Sequence, residues 1–164
     1  MINRILTTLL LWTLALAGTH AFAADADQVD ATLRAFQVVG AGKDVKLVPT
    51  VQAHPGDVIE YQVTYHNAGK APAKQVKATL PVPEGGMAYL EGRASPAALQ
   101  ASLDGVTWAA PPLKREVVRD GRRLQEIVPP SEYRFLRWDL GDLPAGKSVT
   151  VTSRMRLGEA EKRS

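Results

Sequence analysis

The sequence predicts an all-β fold, an antiparallel β-sandwich of about seven to nine strands with an extra β-hairpin. Three observations lead there. From Val58 to His66, Ile59, Tyr61, Val63 and Tyr65 alternate with Glu60, Gln62, Thr64 and His66, the period-two pattern of a half-buried strand. The alternation returns at Leu136, Trp138 and Leu140, and again at Val149, Val151, Ser153, Met155 and Leu157. Clusters of Pro, Gly, Asn and Asp punctuate the chain between these runs, where tight turns need them.

The 164-residue chain opens on a secretory pattern. Asn3-Arg4 supplies a positive start, Ile5 to Ala17 an apolar run and Ala21-Phe22-Ala23 a small-residue cleavage site, so residues 1–23 read as a cleaved signal peptide. The run is shorter than the roughly 20 apolar residues a membrane-spanning helix requires. The mature protein is therefore expected to be periplasmic or secreted, with no membrane span. About 140 residues remain, one domain's worth and enough to bury a core without staples.

Residues 24–44 form a lead-in, within which Val29 to Phe36 fits either a short helical turn or extended chain. Gly40-Ala41-Gly42-Lys43 is a turn. The sandwich is expected over residues 45–157. Val45, Leu47 and Val51 suggest a first strand at a sheet edge, because Pro49 has no amide to donate to a neighbour. His54-Pro55-Gly56-Asp57 suits a type II turn, with proline presetting φ and glycine taking the positive φ that follows. The strand Val58 to His66 comes next, closed by Asn67-Ala68-Gly69-Lys70. Val76, Ala78 and Leu80 then alternate with Lys77 and Thr79 in another strand. Pro81 to Gly86 lacks the amides to continue pairing, so the chain must change sheets before Met87 to Leu90 resumes an extended run.

Asp104-Gly105, between Ser102 and Trp108, reads as a two-residue hairpin turn. Asp120-Gly121 is a second such pair, and folding about it sets Arg119 opposite Arg122, Val117 opposite Leu124 and Arg115 opposite Glu126. Pro111-Pro112 and Pro129-Pro130 bracket this inserted hairpin, residues 114–128, marking it as an excursion from the sandwich. Leu136, Trp138 and Leu140 share a face of the following strand, and Gly141 to Gly146 turns the chain into the closing one. Tyr61, Val63, Leu136 and Trp138 are expected to be buried. Residues 158–164 are a polar tail.

Taken together, Pro55-Gly56-Asp57 with Tyr61, Asn67-Ala68-Gly69, Ala73 to Val76, Leu80-Pro81 and Gly85, then Trp138, Leu140, Leu143, Ala145-Gly146 and Val149 to Val151 resemble the conserved repeat domain of bacterial surface proteins, domain of unknown function 11. The resemblance covers about Leu47 to Leu157, roughly two-thirds of the chain. It implies an immunoglobulin-like sandwich, export, and a non-catalytic structural or adhesive part in the cell envelope. Family members commonly carry tandem copies, whereas this chain has one, and its Ser95 to Tyr133 excursion is longer than the family's usual connection.

The chemistry-bearing residues fit that reading. With no cysteine there is no disulfide, thiolate metal site or cysteine nucleophile. The net charge of +3 and a pI near 9.3 allow loose attraction to anionic polymers, but acidic residues interrupt the basic ones, so nucleic acid is not an expected partner. The mature chain offers His54 and His66 as conventional bases, neither near a Gly-x-Ser-x-Gly context. Asp57, Glu60, Asp139 and Asp142 are the carboxylates a glycosidase would draw on, and Asp139 with Asp142 the pair that would hold calcium weakly. Solvated strand ends and turns explain all of them. No catalytic residue, cofactor or metal ligand is assigned, and the protein is not expected to be an enzyme.

Candidate partner contacts remain: Lys114, Arg115, Arg119, Arg122 and Arg123 on the inserted hairpin, and Trp108 as an exposed aromatic. The expected function is an exported immunoglobulin-like module that meets another envelope or surface protein through the hairpin or a sheet edge. An enzyme acting on envelope polymer, or a carbohydrate or small-ligand binder built on Trp108, are the alternatives.

Overall fold

The computed structural model describes residues 29–158. The expected signal peptide and the polar tail beyond Gly158 lie outside them. The regular structure of the described chain is strand apart from two short 3-10 turns: β1 (Val29–Val39), β2 (Lys46–Pro49), β3 (Val58–Asn67), β4 (Ala73–Pro81), β5 (Met87–Ser95), β6 (Gln100–Ser102), β7 (Lys114–Arg119), β8 (Arg122–Ile127), β9 (Phe135–Leu143) and β10 (Ser148–Leu157). Single 3-10 turns occupy Gly42–Asp44 and Pro130–Glu132. All strand pairs are antiparallel. A five-stranded sheet in the order β2-β1-β3-β10-β5 and a three-stranded sheet in the order β4-β9-β6 form the sandwich, and β7-β8 stands as a separate hairpin.

The core lies where alternate residues of the two sheets meet. The larger sheet contributes Ile59, Val63, Met87, Tyr89, Val151 and Met155; the smaller contributes Ala78, Leu80, Ala101, Leu136 and Trp138. Trp138 is 1% exposed, and its indole N–H reaches the Pro96 carbonyl at 2.9 Å. Burial of so large an aromatic with its one donor satisfied makes this residue a packing anchor.

Turn chemistry matches expectation at several places. Gly56 takes φ +91° and the Asp57 amide donates to the His54 carbonyl at 2.9 Å, closing the type II turn ahead of β3. β2 is a short edge strand ending at Pro49. The chain leaves the smaller sheet after Pro81 and enters the larger at Met87.

Four features differ from the sequence reading. Val29 to Val39 is an eleven-residue strand inside the larger sheet, so the sandwich begins within the expected lead-in. Tyr61 is only half-buried: its neighbours across the sheet are Ala35 and Ser153, too small to enclose a phenol ring. Glu60, placed on the outward face, is nonetheless buried at 7% exposure. Its strand is central, and Arg154 Nε from β10 and Gln62 Nε2 each reach its carboxylate at 2.7 Å. Asp104-Gly105 does not make a two-residue hairpin. Ser102 Oγ accepts the amides of Asp104 and Gly105, Asp104 Oδ1 accepts those of Val106 and Thr107, and only an Ala101–Ala109 bridge closes the wider loop.

One buried polar side chain ties two connections together at one end of the sandwich. Asn67, 2% exposed, donates from Nδ2 to the carbonyls of Ala71 and Leu143 at 2.8 Å each, and its Oδ1 accepts the Gly69 amide at 2.9 Å. Its own backbone accepts from Gly146 and donates to Lys147. The β3–β4 connection and the β9–β10 turn are thus held by one fully satisfied amide.

Candidate functional site

The hairpin is the part of the described chain that the sandwich core does not explain. Its register agrees with the sequence reading pair for pair: Arg119 opposite Arg122, Val117 opposite Leu124, and Arg115 opposite Glu126. Asp120 at φ +51° and Gly121 at φ +72° form the tip, the left-handed pair that a two-residue turn between twisted strands needs.

Its base is fixed to the body. Leu113 and Val128 are buried at 7% and 0% exposure, and the Val128 amide donates to the Leu113 carbonyl at 2.9 Å. The Leu113 amide in turn donates to the Tyr133 hydroxyl at 2.9 Å, while the Tyr133 ring stacks on Tyr89 with centroids 6.3 Å apart. Burial holds the Tyr133 phenol above its usual pKa, against a smaller lowering by the Leu113 amide that it accepts.

Beyond the base, the period of two divides the side chains between two faces. Lys114, Glu116, Val118, Arg123, Gln125 and Ile127 share one; Arg115, Val117, Arg119, Arg122, Leu124 and Glu126 share the other. The basic residues therefore do not form a single patch. On the second face Arg115 reaches Glu126 at 2.8 Å and Glu132 at 2.6 Å, and Arg119 reaches Glu126 at 2.7 Å. These contacts raise the Arg115 pKa, Glu126 first and Glu132 second, and the Arg115 guanidinium holds Glu126 below the usual carboxylate range. On the first face Arg123 meets Glu116 at 3.2 Å. Among the described residues Lys114 and Arg122 have no ion-pair partner.

What the hairpin exposes in quantity is aliphatic. Val118 is 68% exposed, Ile127 61% and Leu124 47%, the first two on the same face. Alternation of strand residues hides this in the sequence, since each strand of a projecting hairpin looks like half of a covered sheet. The signal was the proline bracketing, which separates these strands from any second layer.

Trp108 is not gathered with these residues. It follows β6 and packs against Phe135 of β9, with the Arg137 guanidinium 3.9 Å from its ring centroid and its indole N–H on the Gly105 carbonyl at 3.1 Å. Half-buried and with a ring face taken by Arg137, it is not the open platform a sugar ring needs.

The candidate acids and bases are dispersed, with His54 and Asp57 in the turn before β3, Glu60 and His66 on β3, and Asp139 and Asp142 on β9. Asp57 Oδ2 accepts the His54 amide at 2.8 Å, which lowers its pKa. Asp139 accepts the Gly141 amide, and Asp142 binds Lys74 Nζ at 2.7 Å and the Gln75 amide at 3.1 Å, both of which lower its pKa, Lys74 more. His66 Nδ1 and Ser148 Oγ share a hydrogen bond of 2.9 Å, and Asp30 is the cross-strand neighbour of His66 on its other side. No hydrogen bond joins Asp30 to His66 among the described residues, and the row lies on the outward face of the larger sheet. No group of three metal-ligating side chains and no helix long and apolar enough to cross a membrane occurs among the described residues.

Compared with family models, with curated proteins and with solved structures, the chain matches none of them.

Proposed function

We propose that the protein is an exported, non-catalytic, immunoglobulin-like module of the bacterial cell envelope that binds another envelope protein through its β7–β8 hairpin. The observation that carries this is the exposure of Val118 and Ile127 together on one face of a finger whose base is fixed in the core. A projecting hairpin gains nothing in stability from exposed aliphatic side chains, whereas a partner that covers them removes apolar surface from water. The arginines serve a different end from a simple basic patch. Arg115, Arg119 and Arg123 already meet acids of the same hairpin or of Glu132, so they stiffen the finger and frame its apolar face, leaving Lys114 and Arg122 to steer an acidic rim. The resemblance to the envelope repeat domain and the signal-like start of the chain support the export half of the proposal.

The test is capture of envelope proteins by the purified protein, compared with the V118S/I127S variant and with R122S. Loss of a specific partner in V118S/I127S at unchanged melting temperature, with a smaller and salt-dependent weakening in R122S, is expected. Equal capture by V118S/I127S and the parent protein overturns the reading.

A further inference from the structure

A second surface, independent of the hairpin, is the open edge of the larger sheet. β2 pairs with Phe36 to Val39 of β1 and the Thr50 amide reaches the Ala35 carbonyl, so Val29 to Arg34 has a neighbour on the β3 side alone among the described residues. Alternate residues of an antiparallel strand aim their amide and carbonyl at opposite neighbours. The Ala35 carbonyl faces the β2 side, where it accepts the Thr50 amide at 3.1 Å, so Val29, Ala31 and Leu33 present their backbone groups to the same open edge.

The other edges of the sandwich are blunted. β2 is four residues long and ends in Pro49, β6 has three residues, β4 carries Lys74, Lys77 and two register shifts, and β5 has a shift opposite β10. Val29 to Ala35 contains no proline, lysine, glycine or shift. Leu33 is 56% exposed there although its register places it beside Val63 on the inner face.

The sequence of this edge is complementary to itself. Set antiparallel to a second copy about Thr32, it pairs Asp30 with Arg34 twice, Ala31 with Leu33 twice, and Thr32 with Thr32. In that register Ala31 and Leu33 exchange backbone hydrogen bonds, while the Asp30–Arg34 pairs fall at the closer, non-bonded positions where side chains approach most. The ladder ends at the Asp30–Arg34 pairs, because the Ala35 carbonyl is already taken by the Thr50 amide. Centring one residue earlier sets Asp30 against Thr32 and loses the charge match; centring one later requires Phe36 and Gln37, which β2 already holds. We propose that two copies of this chain associate through β1, antiparallel about Thr32, joining two five-stranded sheets into one of ten strands.

The full chain is expressed, purified as the cell leaves it, and examined by analytical ultracentrifugation at micromolar concentrations. A dimer is expected. R34D sets Asp30 against a second acid at both ends of the pairing and is expected to weaken the dimer by roughly tenfold or more. The double exchange D30R/R34D restores opposite charges and is expected to restore the dimer, which a general loss of folding would not do. T32C places the chain's only thiol at the two-fold, where oxidation is expected to link two copies covalently. A monomer in the parent protein overturns the proposal, including one in which residues ahead of Val29 protect the β1 amides from exchange; so does a dimer that R34D leaves unchanged or that D30R/R34D fails to recover.

Discussion

Replacing Asn67 tests how much one buried amide contributes to closing the sandwich. Asn67→Ala removes three side-chain hydrogen bonds, two donated to carbonyls and one accepted from an amide. At about 1 kcal/mol net for each, with a further cost for the carbonyls left short of a donor, the loss comes to roughly 2 to 4 kcal/mol. For a domain of this size that is about 10 °C in melting temperature, readable by urea or thermal unfolding. Asn67→Asp sharpens the test. It keeps an acceptor for Gly69 but turns a carboxylate toward the carbonyls of Ala71 and Leu143, so its charged form is disfavoured and its folded pKa rises above the unfolded one. Folded protein then binds more protons than unfolded, and stability falls as pH rises through that interval. Asn67→Asp should therefore recover stability as pH is lowered from 7 toward 4, relative to Asn67→Ala at each pH. A loss below about 1 kcal/mol for Asn67→Ala, or no pH-dependent recovery for Asn67→Asp, would refute the assignment of Asn67 as a clamp.

Two further outcomes follow from the geometry. Trp138→Ala should destabilise by roughly 3 to 5 kcal/mol in urea unfolding, and Trp138→Phe by distinctly less, since it keeps most of the packing while losing the bond to Pro96. Asp104 is held at a pKa of about 2, below the usual carboxylate range, by the amides of Thr107 and Val106 and by Ser102, so its contribution is complete above about pH 4 and lost as pH falls through about 2. Asp104→Asn keeps an acceptor without the charge and should flatten the acid limb of stability in that window, as followed by the urea midpoint between pH 4 and pH 2.

Much of the sandwich was legible because its strands cover something. β3, β9 and β10 alternate because one face of each packs on the opposite sheet, and the hairpin register was legible because the Asp-Gly turn agreed with the Val117–Leu124 and Arg115–Glu126 pairs, the like charges of Arg119 and Arg122 at the tip excepted. β1 escaped recognition for the converse reason. Of its inner-facing residues beside β3, Ala31 and Leu33 are exposed and only Ala35 packs against the core, so little over this half of the strand demands strong apolar alternation. Ala, Leu and Arg in that stretch suit a helix as well as a strand. Glu60 was legible as outward-facing, but its burial depends on Arg154, ninety-four residues away in sequence, and no local pattern carries that. The Asp104-Gly105 loop departs from a two-residue hairpin because the Ser102 and Asp104 side chains capture amides that a hairpin ladder would have used. At the candidate site, the hairpin's existence and basic residues were readable, while the division of those residues between two faces and the exposure of Val118 and Ile127 required the three-dimensional arrangement.

The hydrogen bonds at Leu113 have a kinetic consequence. The Leu113 amide ends on a tyrosine whose ring is part of the core, so its exchange with solvent deuterium requires the core itself to open. A few residues further on, the amides of β7 and β8 are held only by each other and can exchange when the hairpin unzips. The finger can thus open and re-form many times within the lifetime of the folded sandwich, and a partner that covers it would slow exchange along β7 and β8 while leaving Leu113 and Val128 at the pace set by global unfolding.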